Sequence, residues 1–68
     1  PGTWTEEAMQ LAKTMEKHAM MSKRVQHHLR TLAAAHALWV DRESVVTDDV
    51  QAAFDVLWMN RSGWWGSP

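Results

Sequence analysis

The stretch MSKRVQHHLRTLAAAHAL, Met21 to Leu38, runs eighteen residues without a glycine or a proline. Val25, Leu29, Leu32, Ala33 and His36, continued by Val40, fall on one stripe at the 3.6-residue spacing of an α-helix. A continuous periodic run of this length is too long for an ordinary strand, so it commits the chain to a long helix against which the rest must pack. Ala33, Ala34, Ala35 and Ala37 keep that helix slim, which lets a second helix approach closely. Ser22 is of the type that caps a helix N-terminus, and the predicted helix spans about 22–40.

Two shorter segments supply its partners. Ala8, Leu11, Ala12, Met15 and Ala19 share one face of a first helix over about 5–19, with Gln10, Lys13, Glu16 and Lys17 on the other. Thr3 with Glu6 fits a capping box, and Glu6 and Glu7 suit the positive end of the helix dipole. A third helix, about 47–59, is predicted from Thr47 as cap, Asp48 and Asp49 in the first turn, and Val50, Ala53, Phe54 and Leu57 at buried-face spacing. The DRESVV segment between the second and third helices reads as a short connection. The expected fold is all-α, a small three-helix bundle over 1–59, followed by a flexible tail over 60–68 rich in Gly, Ser and Pro.

Bulk properties narrow the function. A chain of 68 residues buries only about 60% of its unfolded surface, so its core is thin. The net charge of −1 presents no overall basic field toward nucleic acid or an anionic membrane. With no cysteine, a disulfide scaffold and a cysteine-based zinc module are excluded. No apolar run approaches the roughly 20 residues of a membrane span, and a cytoplasmic location without membrane partners is expected. Pro1 is not a translation start, so the chain is read as a domain excised from a larger protein.

The residues with chemical potential are few. Arg24 and Lys23 stand in the first turn of the second helix; Arg24 reads either as a solvated first-turn residue or as a cation reaching toward a phosphate, which a guanidinium and open backbone N–H groups together suit. The histidines offer no metal ligand spacing: His27 and His28 point to different faces, and His28 and His36 are two turns apart. His36 is expected to be partly buried and hydrogen-bonded. Trp39, Trp58, Trp64 and Trp65 are candidate interaction residues, Trp39 and Trp58 being equally readable as covers for the ends of a small core. Met9, Met15, Met20 and Met21 read as adaptable core. Lys17, Lys23, Arg24 and Arg30 form a local basic patch that leaves a small DNA-binding module as an alternative, with a plain protein-interaction domain as another.

Ser22-Lys23-Arg24 opening a helix, then LRTLAAAHAL, then DRESVVTDDVQAAFDVL, resembles the C-terminal helical lid of AAA+ ATPases, in particular the lids of MoxR-type ATPases and minichromosome maintenance helicases. The resemblance covers about Met21 to Leu57. Lys23 stands where the family has a proline or small residue, and Asp41 where it has a turn glycine, so the loop after the second helix is expected to differ. The resemblance implies that Arg24 is the sensor 2 arginine, contacting the γ-phosphate of ATP held with Mg by a separate core domain or an adjacent subunit of a ring, with DNA a possible partner of the parent protein. The chain itself has no GxxxxGK[ST] phosphate loop, and no catalytic residue is expected in it.

Overall fold

The computed structural model describes residues 2–62, with side chains through Trp58. In chain order the elements are β1 (Thr3–Trp4), α1 (Glu6–His18), α2 (Lys23–Trp39), β2 (Ser44–Val45) and α3 (Thr47–Ser62). The all-α reading holds: three helices form the body, and the two strands are two residues each. Their pairing is parallel, Thr3 opposite Ser44 and Trp4 opposite Val45.

That small ribbon moves the start of α1. Thr3 is extended, and its hydroxyl lies 2.7 Å from that of Ser44, so it is spent on the neighbouring strand. Thr5 is the N-cap instead; its Oγ1 accepts from the Ala8 N–H at 3.1 Å, and its own N–H donates to the Val45 carbonyl at 3.0 Å. Ser22 caps α2 as expected, accepting from the Val25 N–H at 3.3 Å. At α3 the expected cap is displaced. Thr47 is the first helical residue, and the cap is made by the Asp49 side chain, which accepts from the Val46 N–H at 2.8 Å, the reciprocal half of a capping box. α3 then continues through 60–62, which were expected in the tail; no breaker intervenes before Gly63.

Both interhelical turns close by the same device. After α1, Met20 takes φ of 51°, while the Met21 N–H reaches the Glu16 carbonyl at 3.0 Å and the Met20 N–H reaches Lys17 at 3.2 Å. After α2, Asp41 takes φ of 59°, with Arg42 N–H to Ala37 at 2.8 Å and Asp41 N–H to Leu38 at 3.0 Å. These are Schellman closures, whose left-handed residue is most often glycine. The loop after α2 therefore makes a glycine-type turn with aspartate, a residue that tolerates the left-handed region better than most.

The core is a seam of small residues. Ala8 and Ala12 of α1, Leu29, Ala33 and Ala37 of α2, Val45, and Val50 and Ala53 of α3 are all buried. Trp4, Leu11, Met15, Leu32, Phe54 and Leu57 lean against this seam from its margins. α2 packs most extensively on α3, as its alanine content permits. Three expectations change. Val40 is outside the stripe and half exposed, because α2 ends one residue earlier; Ala37 fills the inward position. Glu16, assigned to the solvent side, is buried under Arg30. Trp39 and Trp58 do not close the core: Trp39 is 87% exposed and Trp58 54%. Trp39 lies two residues beyond Ala37, about 200° round the helix, so it must point away when Ala37 points in. Among the described residues Trp4, which the helical pattern passes over, is the tryptophan that packs on the core.

Met20, expected among the core methionines, is instead 88% exposed, because it occupies the left-handed turn after α1, so its side chain contributes little packing to offset that backbone. Met20→Gly is expected to raise stability by about 0.5–1 kcal/mol, since a side chain in that region costs roughly 1 kcal/mol. In a chain of this size that corresponds to a melting midpoint higher by several degrees in a thermal scan; a lower midpoint would count against strain at Met20.

Candidate functional site

The beginning of α2 differs from those of its neighbours. α1 opens with Glu6 and Glu7, and α3 with Asp48 and Asp49, but the first turn of α2 contains no acid. It contains Lys23 and Arg24, both exposed. Neither makes an ion pair among the described residues, and their backbone N–H groups make no hydrogen bond there. The end is rigidly held all the same. The Ser22 hydroxyl satisfies the Val25 N–H, and Gln26 Nε2 donates to the Met21 carbonyl at 2.9 Å, fastening the turn that leads in. Cations at a helix N-terminus oppose the helix dipole, at a cost of about 0.3–1 kcal/mol each. An anion placed between Arg24, Lys23 and the open N–H groups would remove that penalty and use donors that now face water.

Beside this helix end lies a groove of about 160 Å³, walled by Met20, Met21 and Val25 on one side and Phe54, Leu57 and Trp58 on the other. Phe54 and Trp58 stack with ring centroids 5.7 Å apart and planes 10° from parallel. Trp58 is therefore held in place by Phe54 while staying half exposed. Trp39 borders a second apolar groove of about 320 Å³ between α2 and α3, lined also by Leu32, His36 and Val56. Trp64 and Trp65 lie outside the described residues.

Two buried carboxylates, Asp49, expected only as a first-turn acid of the third helix, and Glu16, expected on the solvent side, fasten the frame on which these surfaces sit. Asp49 is completely buried. The His36 Nδ1–H donates to its Oδ1 at 2.6 Å, the Val46 N–H donates to Oδ2, and Arg42 Nε sits 3.3 Å from Oδ2. Because an ionised carboxylate can only accept, the Nδ1 nitrogen of His36 must carry the proton. The Arg42 contact is an ion pair without hydrogen-bond alignment, since its Nε, itself screened from water, has no hydrogen-bond partner. Burial by itself pushes the Asp49 carboxyl up. The Val46 N–H, His36 and Arg42 together outweigh it and hold the group below the usual carboxylate range. His36 is thus partly buried and hydrogen-bonded, as its position on the inner stripe suggests. The second carboxylate, Glu16, receives a two-pronged bond from Arg30, Nε to Oε2 at 2.8 Å and Nη2 to Oε1 at 3.1 Å. That bond raises the Arg30 guanidinium against the opposing effect of its partial burial. Arg30 is consequently removed from the basic patch of the DNA-binding alternative, leaving Lys17, Lys23 and Arg24 exposed.

One signal for Asp49 was available: it stands three residues after Val46, the spacing of a capping-box acceptor. Nothing local marks Glu16 and Arg30 as partners, because they are fourteen residues apart and on different helices. Among the described residues no group of three or more histidine or acidic side chains could hold a metal ion. No protein-family model, no curated protein and no solved structure matches this chain.

The depressed Asp49 pKa has a definite sign in solution. The unfolded carboxyl, near 3.9, binds a proton more readily than the folded one. The stability that Asp49 contributes is therefore complete above that pH and is lost as the pH falls through the lower folded value. Asp49→Asn is expected to cost about 3 kcal/mol at neutral pH, by leaving His36 and Arg42 without their charge partner. The gap between mutant and wild type, read from urea midpoints, should narrow as the pH falls below about 4. A gap that stays constant would show that the Asp49 charge contributes nothing.

Proposed function

We propose that this chain is a lid subdomain of an AAA+ ATPase, in which Arg24 at the start of α2 contacts the terminal phosphate of ATP bound to a separate core domain. The observation that carries the reading is the exposed Arg24–Lys23 pair at a capped, acid-free helix N-terminus, within the segment whose sequence resembles that family. The chemistry is consistent. Guanidinium keeps its charge at every working pH and grips phosphate oxygens with a planar fork. Ser22 and Gln26 hold the turn, so little ordering would be needed on binding. ATP and Mg would be held by the core, with this chain supplying the arginine. When hydrolysis removes the terminal phosphate, Arg24 loses its partner, and the bundle, a stiff body braced by Asp49 and Glu16, is free to swing as a unit. The exposed Trp39 and Trp58 supply apolar surface for contact with the core or with an adjacent subunit of a ring, and such an assembly would work in the cytoplasm. Among the described residues no helix is long and apolar enough to cross a membrane.

The test is ATP turnover by the protein that carries this domain. Losing a charge-assisted contact worth about 1.5–3 kcal/mol should lower turnover by on the order of 10- to 100-fold in Arg24→Ala. Assembly should be unchanged, and Arg24→Lys should restore only part of the activity, since an ammonium cannot reproduce the fork. Turnover equal to wild type would return Arg24 to the role of a solvated first-turn residue and remove the nucleotide contact from the reading.

A further inference from the structure

The net charge of −1 conceals a sorting of charges by end. The Thr5 N–H bonds to Val45, and Glu6 and Glu7 share a groove with Thr47, so the start of α1 meets the start of α3 and the loop leaving α2. Glu6, Glu7, Asp41, Glu43 and Asp48 are all exposed at this end. Among the described residues the one cation beside them, Arg42, is committed to Asp49. At the opposite end the α1–α2 turn adjoins Leu57 and Trp58 of α3, and there Lys17, Lys23 and Arg24 are exposed. Lys13 and Asp55, of opposite sign, lie midway along α1 and α3 and belong to neither end.

Each end also exposes apolar surface: Leu38, Trp39 and Val40 at the acidic one, Met20 and Trp58 at the basic one. α2 spans the body with 17 residues, about 25 Å at 1.5 Å per residue. That is roughly three Debye lengths at physiological ionic strength, so the two ends do not neutralise each other and each acts on a neighbour separately. Like ends repel. Unlike ends attract, and each brings large apolar side chains that burial would favour.

We propose that the acidic end around Trp39 is a docking surface for a second copy of this chain, which presents its basic end around Met20 and Trp58. The contact is head to tail, so a pair of copies keeps one free acidic end and one free basic end. Association continues into a closed ring or an open filament according to the rotation between copies. This inference does not rest on the ATPase reading, because it concerns the chain without nucleotide.

The experiment is sedimentation of the 68-residue chain at low and high salt, with two variants checked for helicity by circular dichroism. Trp39→Ser with Glu43→Lys disables the acidic end; Lys17→Glu with Lys23→Glu disables the basic end. Wild type should grow in mass with concentration, and salt should reverse the growth. Each variant alone should lose all larger species. An equimolar mixture of the two should form a two-chain species and nothing larger, because it retains one good acidic end and one good basic end. A wild type that stays monomeric at millimolar concentration would overturn the proposal. So would a basic-end variant that dimerises alone, since that would mean a symmetric contact through Trp39, and so would a mixture that stays monomeric.

Discussion

The carboxylate of Asp49 is the group on which the arrangement of the chain most depends. It has no contact with water, and it gathers two hydrogen-bond donors and a cation from three places: His36 on α2 and the backbone of Val46 at the head of α3 donate, and Arg42 in the loop pairs with it by charge. A buried carboxylate is tolerable only when so accompanied. Meeting that requirement fixes the angle at which the loop leaves α2 and the residue at which α3 begins. It also sets the position of Val45, which immediately precedes Val46, is fully buried, and provides the carbonyl that receives the Thr5 N–H. The start of α1 is therefore located, through the two-residue ribbon, by a charge on α3.

A core made largely of alanine gives this clasp its importance. Among the described residues only Leu29, Val45 and Val50 are fully buried apolar side chains of any size, so the hydrophobic stabilisation per residue is modest. Such a seam brings the helices close without interlocking them strongly, and polar contacts must supply the register. Asp49 does so between α2 and α3, and the two-pronged Glu16–Arg30 bond does so between α1 and α2. The larger apolar side chains lie at the margins or outside. Those outside, Trp39 foremost, leave the bundle with more apolar surface at its ends than so small a body would need for its own stability.

The charges that are not internal follow a simple rule along the chain. The acids start α1 and α3 and surround the end of α2, and the bases end α1 and start α2. For α1 this obeys the helix dipole at both termini; for α2 it defies the dipole at the N-terminus. The exception places Lys23 and Arg24 where their positive charge is least welcome to the helix and most useful to an anion. The same exception makes one end of the molecule basic, so the proposed phosphate contact and the proposed self-association both rest on the order of charged residues along two antagonistic helix starts.

The three helices, the Ser22 cap and the inward stripe of Leu29 and Ala33 are legible in the sequence because each depends on neighbours within a turn or two, where spacing is geometry. The exposed Arg24 at a helix start is legible for the same reason. Periodicity alone could not tell that Ala37 rather than Val40 completes the stripe, since that turns on where the helix closes, and Asp41 and Arg42 decide it by the bonds they make back to Leu38 and Ala37. Nor could it pair Thr3 with Ser44, Glu16 with Arg30, or His36 with Asp49, because these partners are separated by thirteen to forty-one residues and meet only when the helices pack. The placement of Trp4 inside and Trp39 outside belongs to the same category. Sequence determined the three helices and the order of charges along them; tertiary structure decided the two-residue ribbon, which charges are spent inside and which remain at the two ends, because burial and pairing exist only once distant segments have met.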